Sequence, residues 1–228
     1  MTRPLILLPG MMCDARLFAP QIEALGASVL PITEADSMQA LARLVLDAAP
    51  ATFALGGLSM GGIVAMEVVR QAPDRVTGLA LMDTNPLAEL PEMQARRGPQ
   101  IEKAASGGLI SVMRDEMKPN YLAEGPDRAA ILDLCMDMAL DLGPEVFIRQ
   151  SIALRDRPDQ TEVLRNFTKP GLVLCGREDR LCPLARHELM HALLPHSTLR
   201  VIDGAAHLPT LERAQETTDA LRIWLTEI

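Results

Sequence analysis

The stretch GGLSMGG, Gly56–Gly62, decides the fold. It holds the pattern G-x-S-x-G as Gly57, Leu58, Ser59, Met60 and Gly61. The apolar run TFALGG (Thr52–Gly57) predicts a strand before it, and GGIVAMEVVRQA (Gly61–Ala72) predicts a helix after it. A sharp strand-to-helix turn pushes a serine oxygen clear of the sheet. It also strains the serine backbone and crowds strand against helix, and glycines two residues to either side relieve the crowding. The N-terminus of the following helix offers unpaired N–H groups and a positive dipole end beside that oxygen. The plainer alternative is a glycine-rich turn before a helix. A P-loop is excluded, because the lysine and its spacing are missing.

Outward from this turn the pattern repeats. PLILL (Pro4–Leu8), ASVLPI (Ala27–Ile32), VTGLALMD (Val76–Asp83), GLVLCG (Gly171–Gly176) and STLRVID (Ser197–Asp203) read as further strands. Between them, ARLFAPQIEAL (Ala15–Leu25) reads as a helix despite Pro20. SMQALARLVLDAA reads as another, with Ser37 as N-cap and Met38, Leu41, Leu44 and Val45 on one face. The last helix carries Leu221, Trp224, Leu225 and Ile228 at i, i+3, i+4 and i+7. Strands alternating with helices predict an α/β architecture, a parallel sheet flanked by helices. Residues 85–166 break the rhythm with helical patterns and no strand, punctuated by seven prolines from Pro86 to Pro158. They read as a helical insertion into a core formed by residues 1–84 and 167–228, and the plainer alternative is more helices of one domain.

Bulk properties narrow the function. The chain has 228 residues and a net charge of -8, so phosphate backbones would repel it and nucleic acid is not an expected partner. Cys13, Cys135, Cys175 and Cys182 form no CxxC pair, which points away from a disulfide framework or thiolate zinc site and towards a reducing compartment. The apolar run before Pro9-Gly10 is too short for a signal-peptide core, and no run reaches membrane-spanning length, so a cytoplasmic protein without a membrane partner is expected. Aromatics make up 3% of the chain while Met occurs 13 times, so the core and any pocket should be aliphatic and adaptable.

Two loops after the insertion complete a chemical set. GLVLCGREDRLCP carries Asp179 after a strand, and LRVIDGAAHLPTLER carries His207 after the last strand. With these in place the chain resembles the α/β-hydrolase superfamily, with serine, acid and histidine in that chain order. The segments Gly176–Asp179 and Gly204–His207 look like the family's G-x-x-D and G-x-x-H, and the resemblance runs from Pro4 to Ile228. It implies an α/β-hydrolase fold of about six mostly parallel strands, without the antiparallel pair with which many relatives open, and with residues 85–166 as a helical cap. It further implies a triad of Ser59, Asp179 and His207, with Gly57 and Gly61 as the structural glycines of the nucleophile turn. The oxyanion donors would be the backbone N–H groups of Met11 and Met60, although LLPGMM (Leu7–Met12) has Pro9-Gly10 where the family often has His-Gly. Asp83, ending the fourth strand, is the rival acid, because some relatives place it there. Cys13 and Cys175 read as small core residues.

The function implied is hydrolysis of a carboxylic ester or thioester of a small, largely apolar molecule through an acyl-enzyme, without cofactor or metal. One alternative is C–C bond hydrolysis or a menaquinone-pathway-type lyase step on the same triad. It would need basic pocket residues, for which Arg114, Arg149, Arg155 and Arg157 are candidates. Another is a non-catalytic ligand-binding relative. Monomer and homodimer are equally open. Met113, Met117, Met136 and Met138 would lie over Ser59 or, for most of them, pack cap against body.

HELMH (His187–His191) matches the zinc-peptidase pattern H-E-x-x-H. Stepping 100° per residue puts Ala185, Leu189, Ala192 and Leu193 on one stripe facing the sheet and both histidines in water. Glu212 and Glu216 downstream belong to no ligand motif, so a surface helix is expected here, not a metal centre.

Overall fold

The computed structural model describes residues 4–228. Six strands form one sheet in the order β2-β1-β3-β4-β5-β6, and every pairing is parallel. They are β1 (Leu5–Leu8), β2 (Ser28–Val29), β3 (Phe53–Leu58), β4 (Val76–Met82), β5 (Gly171–Gly176) and β6 (Ser197–Ile202). The fold class is the one expected. The run FALGGL in β3 is buried throughout, as a central parallel strand covered on both faces must be. Alternate residues feed two cores. Ile6 and Leu8 of β1 pack with Phe53 and Leu55 of β3 on one face, while Leu5 and Leu7 pack with Ala54 and Leu58 on the other.

The helices linking the strands are α1 (Ala19–Leu25) and α2 (Met38–Ala48) around β2, then α3 (Met60–Gln71) after β3. The crossover from β4 to β5 holds α4 (Pro91–Lys103), α5 (Leu109–Ser111), α6 (Arg128–Arg155) and α7 (Thr161–Asn166). After β5 come α8 (Leu184–Leu193), β6, α9 (Pro209–Glu212) and α10 (Ala214–Leu225). Between β4 and β5 there are only helices and turns, including π-helical turns over Ala104–Gly108 and Val112–Met117. α6 runs on through RAAILDLCMDMAL, with one left-handed residue at Gly143 (φ 77°) ahead of Pro144.

Several local expectations differ. The second strand shrinks to Ser28–Val29, an edge strand that pairs over two residues of β1. The helix expected over 15–25 is a 3-10 turn (Ala15–Phe18) followed by α1, because Pro20 suits the first turn of a helix and not its interior. Leu44 is exposed, so the buried face of α2 is Met38, Leu41, Ala42 and Val45. Ser37 caps α2 by accepting from the N–H of Ala40.

The chain reverses its direction of travel across the sheet between β1 and β3, the switch point where open α/β sheets bind ligands outside the strand C-termini. Pro9-Gly10 leaves β1 there and Ser59 leaves β3 beside it. A Cβ on Gly10 would lie 3.6 Å from the Ser59 Cβ. On Gly61 it would meet the Leu8 carbonyl oxygen at 2.0 Å, and on Gly57 the Gly61 carbonyl at 2.3 Å. Backbone cannot yield by such amounts, so these two glycines are fixed by space.

Candidate active site

Ser59 sits at φ 55°, ψ -117°, a conformation that costs an ordinary residue on the order of 1–3 kcal/mol. Its neighbours hold it there. Its N–H donates to the Met82 carbonyl at 2.9 Å, and its own carbonyl accepts from the Thr84 hydroxyl at 2.7 Å. The side chain reaches His207, with Oγ 2.9 Å from Nε2, and Nδ1 of the same ring is 2.8 Å from Asp179 Oδ2. An ionised Asp179 fixes the tautomer: Nδ1 carries the proton and Nε2 is free to accept from the serine hydroxyl. Burial would raise the Asp179 pKa, but the adjacent His207, with N–H donation from Cys182 and Leu181, outweighs it and holds the carboxyl below its usual range.

Asp83 lies elsewhere. It is fully buried at φ 42°, and its Oδ1 accepts from the Gly176 N–H at 2.9 Å. It makes no hydrogen bond to His207. Burial and the neighbouring Asp179 carboxylate push its pKa well above the usual carboxylate value, against the pull of the Gly176 N–H, and so favour the protonated form of Asp83.

The N–H groups of Met11 and Met60 donate to no carbonyl or side chain among the described residues. That of Met12 is held instead by Gln150 Oε1 at 2.8 Å, which ties the loop after β1 to α6. Met60 opens α3, where the first N–H groups have no intrahelical partner. Sequence reasoning missed Glu212. Its carboxylate accepts from the N–H groups of Ala206 and Leu208 on either side of His207, and from Ala123 in the β4–β5 crossover. The His207 N–H in turn donates to the Tyr121 carbonyl at 2.9 Å. The signal in the sequence is a Glu five residues past the histidine.

HELMH corrects the expectation of two solvent-facing histidines. The buried face of α8 is His187, Met190 and Leu193, while Ala185 and Ala192 are exposed. His187 is fully buried and its Nε2 accepts from the Thr84 N–H at 3.2 Å. A polar ring can enter the core when such a partner awaits it. Apolar periodicity cannot register a donor that arrives from another strand. His191 is exposed and meets the Ser197 hydroxyl at 2.8 Å. Among the described residues, the group of metal-type donors within 4.8 Å of one another is Asp179, Cys182 and His207, and the first and last of these already bond to each other.

Burial pulls the His187 pKa down to about 4 from 6.5, against the opposing pull of the Asp179 charge. A depressed histidine stabilises the fold fully above pH 6.5, where both states are neutral. Between pH 6.5 and 4 the unfolded chain binds the proton first and stability falls, by about 3 kcal/mol across the window. His187→Gln keeps an acceptor for Thr84 and is expected to flatten this part of the pH–stability curve in urea unfolding. An unchanged slope would remove His187 as its source.

A cavity of about 570 Å³ opens onto Ser59 and His207. Its floor is the switch-point loops and its walls come from the β4–β5 crossover, with Met11, Met93, Met117, Leu90 and Leu154 among the apolar lining. Of the four methionines named from sequence only Met117 lines it, while Met113, Met136 and Met138 pack in the cores. Of the four candidate arginines only Arg157 lines it, because Arg114 and Arg155 pair with their neighbours Asp115 and Asp156, and Arg149 donates to the Thr33 carbonyl. Arg96, Arg97, Arg180 and Arg186 also line the cavity and were not anticipated. Cys13 and Cys175 are buried and burial raises both thiols, Cys175 to about 12, so neither is a thiolate nucleophile. No helix among the described residues is long and apolar enough to cross a membrane.

The chain is 26% identical over 250 residues to the pimeloyl-[acyl-carrier protein] methyl ester esterase of Xanthomonas oryzae, covering 98% of this chain and 95% of that protein. Against the esterase of that name from Photobacterium profundum the identity is 27% over 209 residues, covering 82% and 76%. Among solved structures, a thermophilic esterase from Thermogutta terrifontis superposes with a TM-score of 0.88 at 30% identity, covering 98% of this chain and 89% of that one. The enol-lactonase of Burkholderia xenovorans gives 0.86 at 22% identity, covering 100% and 93%, a likeness of fold. The model of the alpha/beta hydrolase family matches residues 6–220, and the chain belongs to that family.

Proposed function

We propose that the protein hydrolyses carboxylic esters through Ser59, His207 and Asp179. The carrying observation is the unbroken hydrogen-bond run from Asp179 through His207 to a strained, pocket-facing Ser59, at 2.8 and 2.9 Å. His207 Nε2 takes the Ser59 proton as Oγ attacks the ester carbonyl. The oxyanion rests on the N–H groups of Met11 and Met60. The tetrahedral species expels the alcohol, which receives the proton from His207, and leaves an acyl group on Ser59. Water, deprotonated by His207, then attacks the acyl-enzyme and releases the carboxylic acid, with the proton returning to Ser59. Asp179 keeps the ring in the required tautomer throughout. Residues 85–166 act as a cap that shapes the pocket.

The relatives' names suggest a methyl ester on a carrier-bound acyl chain as one natural substrate. A series of 4-nitrophenyl and methyl esters of short and medium acyl chains tests the reading, with saturable turnover expected of at least one. A protein that leaves every ester intact overturns it. The arginines in the cavity favour, as a second reading, C–C bond cleavage of a carboxylated substrate on the same triad, which predicts that failure of ester turnover.

A further inference from the structure

The cavity above Ser59 is basic within an acidic protein. Its lining holds five arginines, two glutamates, no lysine and no aspartate, a local balance of +3 in a chain of net charge -8. The carboxylates do not cancel the guanidiniums. Glu116 is engaged by Lys103 Nζ at 3.0 Å and Gln100 Nε2 at 3.1 Å, and Lys103 is not part of the lining. Glu89 serves two arginines at once: Arg97 Nε donates to Oε2 at 2.7 Å and Arg157 Nη1 lies 3.0 Å from Oε1. Both partners of the second contact are almost completely buried, with side chains 7% and 6% exposed. Arg157 Nε is fixed by the Leu87 carbonyl at 3.0 Å. One carboxylate between two guanidiniums leaves a buried excess positive charge, which is costly unless an anion completes it. Arg96, Arg180 and Arg186 have no carboxylate within ion-pair distance among the described residues. Arg157 and Arg186 line the same cavity as Ser59 and His207, so the basic cluster and the reacting groups share one chamber.

We propose that the cavity selects esters that carry a second, anionic group, a carboxylate or a phosphate, remote from the scissile bond, and that Arg157, Arg186 and Arg97 receive it. Guanidinium forks match the paired oxygens of either anion, and arginine holds its charge where a buried lysine would lose it. The apolar lining, with Met93 and Met117, takes the chain between the ester and the anion. The proposal rests on the serine-hydrolase reading and deepens it by naming the substrate class.

The test uses the full chain and two probe sets. In the first, 4-nitrophenyl esters share one acyl length and end in methyl, carboxylate or phosphonate. In the second, a common acyl group is esterified to an alcohol ending in the same three groups. In one set kcat/KM for an anionic member is expected to exceed that of the methyl member by about tenfold or more, mostly through KM. One charge-assisted hydrogen-bonded contact accounts for that ratio. Carboxylate preferred over phosphonate, or the reverse, identifies the anion. Arg157→Gln and Arg186→Gln should each bring the ratio towards one, and wild-type preference should fall as salt rises. A ratio at or below one in both sets, or a ratio untouched by both substitutions, overturns the proposal. Fluorophosphonate labelling of Ser59 in the same samples separates this failure from failure of the hydrolase reading. Where no ester turns over, adipate or inorganic phosphate is added to the Ser59→Ala protein. A rise in Tm that Arg186→Gln abolishes supports the anion site, and no rise contradicts it.

Discussion

Replacing Ser59 with alanine is expected to lower kcat by about 10⁴-fold or more, with KM for the residual reaction little changed, as measured with the best 4-nitrophenyl ester. Among the described residues, the hydroxyl bonded to His207 Nε2 is that of Ser59. Stability should move the other way in a related variant. At φ 55° glycine is relieved of strain that serine and alanine both carry, so Ser59→Gly should lose activity as Ser59→Ala does, yet melt higher. A serine kept for packing would lose stability on removal and leave turnover nearly intact. Lost stability with turnover retained in both variants would therefore count against the nucleophile.

The second large effect separates two aspartates. Asp179→Asn should lower kcat by roughly 10³–10⁴-fold, because an amide facing Nδ1 no longer enforces the tautomer that leaves Nε2 free. Asp83→Asn should remain within about tenfold of wild type. Burial already favours the neutral form of Asp83, and asparagine keeps an oxygen for the Gly176 N–H. The reverse pattern, a crippled Asp83→Asn and an active Asp179→Asn, would move the acid to the end of β4.

The contrast shows what the sequence made legible. Gly57, Ser59 and Gly61 could be read because space dictates them: a Cβ at either glycine collides with backbone, so the pattern is an imprint of the turn itself. The strands announced themselves as buried apolar runs between turn residues, while Asp179 and His207 were legible through the resemblance of their loops to the G-x-x-D and G-x-x-H segments of α/β-hydrolases. Contacts made across the fold left no such imprint. His187 is buried because the Thr84 N–H, 103 residues away, bonds to its ring. Glu212 organises the His207 loop through three backbone donors that no spacing rule includes. Arg96 and Arg97 meet Arg180 and Arg186 at one cavity from segments more than 80 residues apart, so no local pattern groups them. The resemblance favoured Asp179 over its rival Asp83, and the physical reason, an Asp179 bonded to His207 and a buried Asp83 that is not, came only with the fold.

In the proposed mechanism Ser59 becomes acylated. The most direct test of this step is mass spectrometry of the intact protein after reaction with a fluorophosphonate, followed by peptide mapping. One adduct per chain is expected, on the peptide containing Ser59, lost in Ser59→Ala and formed far more slowly in His207→Ala. Ester turnover that proceeds while Ser59 stays unmodified, or an adduct mapped to another residue, would contradict it.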